Sequence, residues 1–334
     1  MRKWFGTAIW LGVFALTAAT VAGSYGGISW ALDLFAHFRP HLVAVCFVWM
    51  FLALFQRRFV AVVASAALMA VNAAPIVPYV VSPPQAMAAT PADVSPLRVM
   101  TFNMHGRKTQ RAAFLDYVQA EQPDVVLLTE VPNPYDWLND SLGADYRYRF
   151  DGKTGLPHDV ILFSRWPIVA TRADRSVSRG FPVLAADLCQ DEPAGGACVR
   201  LIGLHAIAPF GQRFAKWQEM QFAIASRFAR EAPHGQAIVA GDLNMTPWSP
   251  TFRHLLEGGG LRDTALGRSI TATWASRQPI VGLPIDHVLA SPQIVTRHYE
   301  VGPDLGSDHL PVIAELAVPR PAPVTISRQR SPAR

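Results

Sequence analysis

The distribution of apolar and polar positions divides the chain into two unlike parts near residue 81. Before that point three apolar stretches follow one another, at residues 4–23, 42–55 and 59–81. A helix needs roughly 20 apolar residues to cross a bilayer, and the first stretch is long enough. The second is short and needs Pro40, His41 and the Gln56-Arg57-Arg58 flank near the headgroups, while the third is interrupted by Asn72, Pro75 and Pro78. The expectation is three transmembrane helices forming a membrane anchor over residues 1–81. A cleavable signal peptide is the rival reading of the first stretch, because Arg2-Lys3, an apolar run and small residues at Ala22-Gly23 fit that pattern too. The two apolar runs that follow favour a retained anchor.

After residue 81 the pattern changes. Residues 82–96 are rich in Pro and Ala, carry no periodic apolar face and read as a linker. From 97 to 318, short apolar runs alternate with segments of helical period. Strands are expected near 97–104, 124–131, 146–150, 159–165, 182–188, 199–206, 236–243, 285–290, 294–301 and 310–318. Helices are expected near 109–121, 134–141, 212–230 and 249–257. Many strands with few helices predict an α/β domain of two packed sheets, covered by helices on their outer faces. The tail, 319–334, is rich in Pro and Arg and is expected to be disordered.

The formal net charge of +5 invites a nucleic-acid reading, and its distribution argues against one. Residues 97–318 hold 21 Lys and Arg against 23 Asp and Glu, a net charge of −2. The basic excess belongs to the anchor and the tail, so the globular part shows no broad footprint for duplex DNA. In the short loops, Arg2-Lys3 and Arg57-Arg58 lie on one side and a single Arg on the other. The positive-inside rule then places the N-terminus in the cytoplasm and everything after residue 81 outside. The expected location is the inner (cytoplasmic) membrane, multi-pass, with the globular domain in the periplasm of a Gram-negative host. Cys189 and Cys198 flank a turn between two strand-like runs. A disulfide there would close the hairpin and would persist outside the cytosol; two unpaired thiols are the alternative. Cys46, in an apolar stretch, reads as a small packing residue.

Short polar motifs stand at the ends of the apolar runs. They are Asn103 after 97–102, Glu130 after 124–129, His205 after 201–204, Gly241-Asp242-Leu243-Asn244, Ile285-Asp286-His287, and Gly306-Ser307-Asp308-His309. A carboxylate buried at a strand end is costly unless it is paired or metal-bound, and Asn103 with Glu130 offers oxygen donors to a hard cation. If the chain stays extended, Asp242 and Asn244 share a face, so Asp242 can bind or deprotonate a water that Asn244 helps to place. An Asx turn before Pro247 is the simpler alternative. Asp286 next to His309 would make the carboxylate–imidazole pairing that fixes a tautomer and raises basicity, whereas His287 points to the opposite face and reads as a core residue.

As an ordered set, Asn103, Glu130, His205, Asp242-x-Asn244, Asp286 and Ser307-Asp308-His309 resembles the endonuclease/exonuclease/phosphatase superfamily, in a membrane-attached bacterial branch. The resemblance covers 97–318 and implies a four-layer α/β sandwich of DNase I-like type, cleaving phosphate esters with Mg²⁺ or Mn²⁺. It implies a metal held by Asn103, Glu130 and Asp308, with Asp242, Asn244, His205, His309 and Asp286 as catalytic residues. Thr129 stands where the family often carries Gln. Tyr146 and Tyr148 are the nearest counterparts of the mid-domain Tyr of some nuclease branches.

Two phosphate-ester substrates fit this reading. Nucleic acid would draw on Arg107, Lys108, Arg111 and Trp274 for charge and stacking. A lipid head group or small phosphodiester needs little positive charge, and a domain tethered to the lipid bilayer is already beside it; Trp166, Phe181 and Phe210 are available to enter the interface. Arg165 is a further candidate for scaffold or phosphate contact. A non-catalytic, membrane-tethered binding module of the same fold would be expected to have lost motif residues, and none of the set is missing.

Overall fold

The structure, a computed structural model, describes residues 2–81, 93–152, 159–190, 196–275, 277–278 and 280–320. The strands are β1 (Val94–Asn103), β2 (Val125–Thr129), β3 (Tyr148–Asp151), β4 (Val160–Ser164), β5 (Ile168–Asp174) and β6 (Val183–Cys189). They continue as β7 (Cys198–Leu204), β8 (Ala237–Asp242), β9 (Arg262–Asp263), β10 (Asp286–Ala290), β11 (Val295–Val301) and β12 (Val312–Pro319). One sheet has the order β11-β12-β1-β2-β4-β3 and the other β5-β6-β7-β8-β10-β9.

Period-two alternation sorts each strand's side chains onto two faces. On β1, Leu97 and Val99 join the core between the sheets, with Leu127, Leu201, Ile238, Val288 and Ala314. Met100 and Phe102 face the other way, onto Phe114 and Val118 of a helix at Arg111–Glu121 and Leu138 of one at Asp136–Leu142. The second sheet's outer face is covered by Phe222, Ala225 and Phe228 of the helix Gln212–Arg230 and by Phe252 and Leu255 of Pro250–Gly259. Helix, sheet, sheet, helix is the expected four-layer sandwich. Two elements were not expected. The middle of β5 is exposed and carries no apolar alternation, and β9 is too short to leave a pattern.

The N-terminal part departs from three full spans. Among the described residues one helix, Trp4–Ser24, within α1 (Arg2–Ser24), is long and apolar enough to cross a membrane alone. The expected second span is one arm of a pair, α2 (Trp30–His37) and α3 (Arg39–Phe55), bent by 62° at the junction before Pro40. The expected third span breaks at residues 74–76, around Pro75, into α4 (Phe59–Ala73) and α5 (Val77–Val81). At 1.5 Å per residue α4 is roughly 22 Å long, short of a hydrocarbon core of about 30 Å. The polar Asn72 that interrupts the apolar run is buried and donates to Thr20 Oγ1 of α1 at 2.8 Å. Large apolar side chains such as Trp4, Phe14, Phe47, Phe51 and Phe59 remain exposed on this unit.

Of the expected linker, residues 82–92 lie outside the described residues. The first strand begins three residues earlier than the pattern suggested, because Val94–Leu97 pairs with Leu316–Pro319. Arg320 bonds Ser95 Oγ at 2.9 Å, and the rest of the tail, where disorder was expected, lies outside the described residues. Cys189 and Cys198 form a disulfide across the β6–β7 pair, where they stand opposite each other. Cys46 is buried and free.

Candidate active site

Strand direction brings the motifs to one rim. β1 and β2 are parallel, and so are β7 and β8, so Asn103, Glu130, His205 and Asp242 all stand at C-terminal strand ends. β10 runs antiparallel to β8 with Asp286 opposite Asp242, which puts its first residue at that rim. β12 runs antiparallel to β1 with Val312 opposite Thr101, which puts the preceding Ser307-Asp308-His309 there too. The chain thus delivers six motifs, far apart in sequence, to one edge of the sandwich.

At the centre Asn103 Nδ2 donates to Asp242 Oδ2 at 2.9 Å and to Glu130 Oε1 at 3.1 Å. The Asn244 backbone N–H donates to Asp242 Oδ1 at 2.9 Å, and Asn244 Nδ2 donates to Ala206 O at 2.9 Å. His205 Nε2 lies 3.6 Å from Asp242 Oδ2 and 3.8 Å from Glu130 Oε1. His309 Nδ1 is hydrogen-bonded to Asp286 Oδ2 at 2.8 Å, and its Nε2 faces Asp242 Oδ2 at 3.7 Å. The hydroxyl of Thr273 accepts from the Ile285 and Asp286 backbone N–H groups, both at 3.0 Å, and so fixes the start of β10. Ser307 donates to Asn103 O at 2.8 Å and ties the last motif to the first.

The electrostatics follow from burial. Desolvation, reinforced by the charge of Asp286, pushes the Asp242 carboxyl up to about 7. Burial works against charge on His309, but Asp286 and Asp242 outweigh it and raise the ring to about 10. Asp308 stands further out, bonded to His105 Nδ1 and to Trp274 Nε1 at 3.3 Å. Partial burial opposes its ionisation, and His309 with His105 overcomes that, holding the carboxyl below its usual range.

The backbone is strained at this rim. His105, Glu130 and Asn244 adopt left-handed conformations with φ of 47°, 49° and 48°, each costing about 1 kcal/mol or more for a residue with a Cβ. Gly241 has φ 137°, and a Cβ there would meet Leu204 O at 1.9 Å. Only glycine fits between β7 and the turn that presents Asp242.

These groups border a cavity of about 400 Å³, with Glu130, His205, Asp242, Asn244, Asp308 and His309 in its wall. Asn103 and Asp286 stand directly behind, bonded to Asp242 and His309. Two donor sets suit a cation. Glu130, Asp308 and Asn103 carry carboxylate and amide oxygens, the ligands of a hard divalent ion; among the described residues Asn103 Oδ1 accepts the His105 N–H alone, at 2.9 Å, and keeps a lone pair. Asp242, Asp286 and His309 have ligand atoms within 4.8 Å of one another, and the last two also share the Nδ1–Oδ2 hydrogen bond.

Some residues fall elsewhere. Arg165 lies over the Tyr146 ring and reaches Gln122, and Tyr146 is buried, donating to Pro123 O. Trp166 is buried between the sheets and unavailable to an interface. His287 is buried at Met245 O and Asp263. Phe181 and Phe210 do border the cavity, as do Leu34, His37 and Phe38 from the α2 region. The pattern gave no sign of these last three, because they sit in the short loop expected between the first two spans, which reads only as part of the anchor.

Two α/β sheets meeting at a rim of carboxylates, amides and imidazoles define a DNase I-like phosphoester hydrolase. The chain belongs to the endonuclease/exonuclease/phosphatase family, whose model matches residues 100–309. No curated protein matches the sequence. Among solved structures it is similar to an endonuclease/exonuclease/phosphatase from Beutenbergia cavernae, with 23% identity and a TM-score of 0.55 over 67% of this chain and 72% of that one. It is also similar to the human Nocturnin catalytic domain with bound sulfate, at 19% identity and a TM-score of 0.56 over 68% and 96% of the two chains. Sphingomyelinase C from Streptomyces griseocarneus matches at 22% identity and a TM-score of 0.50 over 66% and 99%. At these identities the likeness establishes the fold and leaves the substrate open.

Proposed function

We propose that this protein is a phosphoester hydrolase dependent on Mg²⁺ or Mn²⁺, held at the membrane by its N-terminal helices with the catalytic domain facing outward. The observation that carries the reading is the line Asp286–His309–Asp242, set beside the Asn103–Glu130 pair, with His309, Asp242 and Glu130 bordering one cavity. Glu130, Asn103 and Asp308 would hold the cation, whose Lewis acidity polarises a phosphoryl oxygen. Asp242, with its carboxyl raised towards neutrality and aligned by the Asn244 N–H, accepts the proton of the attacking water. His309, kept charged by Asp286, donates from Nε2 to a phosphoryl oxygen as charge develops there, and His205 faces the same space. Water attacks phosphorus in line and the ester P–O bond opposite it breaks.

The outward orientation is supported by the basic N-terminal residues at one end of α1 and by the docking of the catalytic domain beyond its other end. Alkaline phosphatase fused after Arg334 should be active in cells, and fluorescence from a cytoplasm-dependent reporter at that position would reverse the orientation. For the activity, the full chain in detergent should hydrolyse bis-p-nitrophenyl phosphate only with added Mg²⁺ or Mn²⁺, and Asp242→Ala and His309→Ala should abolish turnover. Turnover that survives either substitution would sink the assignment; folded, metal-loaded protein without turnover would favour the binding-module reading.

A further inference from the structure

The cavity wall includes a piece of the anchor. Helix α2 is fastened to the loop after Asp242 by buried polar side chains. Asp33 accepts from Ser249 Oγ at 2.8 and 3.0 Å and from Thr251 Oγ1 at 2.8 Å. His37 Nδ1 lies 2.9 Å from Thr246 Oγ1, and Trp248 Nε1 donates to His37 O at 3.0 Å. The stretch 244–250, which follows the catalytic Asp242-x-Asn244, is thus a seat for α2. With α2 in place, Leu34 and Phe38 face the same cavity as Glu130 and His309.

This arm of the cavity is apolar. Phe181, Phe210, Leu283 and Ile285 complete it, and among the described residues no Lys or Arg borders it. Phe38 and Phe210 are 43% and 77% exposed, so they form a mouth rather than a core. That mouth lies beside the anchor: His41 Nε2, at the start of α3, is 2.5 Å from Ile280 O, three residues before Leu283 of the cavity wall. On the other side of His105, Trp274 and Asp308 the cavity adjoins a groove of about 420 Å³ whose wall includes two cationic side chains, Lys108 and Arg277, with Gln278 beside them. A nucleic acid would bring one charge per phosphate to a cleft whose inner arm holds no cation.

Resting on the hydrolase reading above, we infer that the substrate is an amphiphilic phosphoester of the bilayer surface. Its hydrocarbon chain lies against Leu34, Phe38 and Phe210, its phosphate sits at Glu130 and His309, and its head group lies in the groove of Lys108. The chain reaches the bilayer along α2, whose flanking helices carry the exposed apolar surface.

The test uses the full-length protein in detergent with two esters below their micellar concentrations, octyl p-nitrophenyl phosphate and methyl p-nitrophenyl phosphate. The octyl ester should show kcat/KM at least thirtyfold higher, mainly through KM, and octyl phosphate should bind at least tenfold tighter than methyl phosphate by calorimetry. Phe38→Ser and Phe210→Ser, both at exposed positions, should each cut the octyl-to-methyl ratio at least fivefold, while Val169→Ser on the far edge strand should leave it unchanged. Equal efficiency on the two esters overturns the inference and leaves the hydrolase reading standing. Faster cleavage of single-stranded DNA than of the octyl ester overturns it in favour of nucleic acid. No turnover of either ester or of single-stranded DNA removes the hydrolase reading, and the inference falls with it.

Discussion

Asp286 and His309 share a 2.8 Å hydrogen bond at the foot of the cavity, and the far nitrogen of that imidazole looks at a second carboxylate, Asp242. One ring therefore stands between two acids. Asp286→Asn would leave a neutral amide beside His309 Nδ1 and remove the largest of the carboxylate charges that keep the ring protonated. The expected loss in kcat is about a hundredfold, with a smaller change in KM, and steady-state kinetics on bis-p-nitrophenyl phosphate measures it.

The pH dependence follows from the same residues. Asp242 must lose its proton to act as a base, so kcat should rise with pH through about 7. His309 must keep its proton to act as a donor, so kcat should fall as pH passes about 10. In Asp286→Asn the alkaline limb should move to lower pH while the acid limb stays or shifts down, since the neighbouring charge that raises Asp242 is also gone. An unchanged alkaline limb would remove His309 from the acid role.

Glu130→Gln keeps the size of the side chain and the Asn103 contact but removes a charge from the proposed ligand set of Glu130, Asn103 and Asp308. It should raise the Mg²⁺ concentration needed for half-maximal activity by at least tenfold. Chelation of the wild type should abolish turnover, and added Mg²⁺ or Mn²⁺ should restore it. A metal titration followed by activity and by calorimetry separates weakened binding from slowed chemistry.

His287 offers a stability test away from the reaction. Burial opposes charge on this ring, but Asp263, Met245 O and Asp286 outweigh it and raise its pKa. A raised folded pKa contributes stability that is present below the unfolded value near 6.5 and is lost as pH rises through the folded value. His287→Gln should therefore cost about 3 kcal/mol at pH 6, as expected for breaking a buried pair, and less in alkaline buffer. Denaturant melts at both pH values give the difference, which would not vary with pH if the ring were neutral throughout.

The cross-strand disulfide closes a loop with a sequence separation of 9. Cys198→Ser should lower stability by about 2–3 kcal/mol through the freed unfolded chain. Added reductant should lower the melting temperature of the wild type and leave that of the variant unchanged.

Much of the sandwich was legible because alternation in runs such as 97–102 and 199–204 records which side chain faces which layer. The helix at Gln212–Arg230 was readable to the residue. Edge strand β5 was not, since an exposed edge imposes no alternation. At the site, Asn103, Glu130, His205, Asp242, Asp286 and His309 were marked by polar residues that interrupt or end buried strands. Thr273 and His105 were not, because a hydroxyl capping two backbone groups and an imidazole in a left-handed turn look like any loop residue. The role of α2 was hidden most deeply. Asp33 and His37 are two polar residues in what reads as a short loop between spans, and only the fold shows that they answer Thr246, Ser249 and Thr251.

That contact changes what it means for the catalytic domain to be attached. A tether holds by its covalent length, and cutting it frees the load. Here a break between residues 82 and 92 would leave the two pieces bonded through Asp33, His37 and the Trp248 indole, beside a Tyr79–Trp248 ring contact. Separation would exchange these hydrogen bonds for bonds to water, at a net cost of about 0.5–1.5 kcal/mol each, and would expose the apolar surface packed around them. Proteolysis alone would not release a soluble enzyme, and a domain made without residues 1–81 would lack one wall of its own cavity.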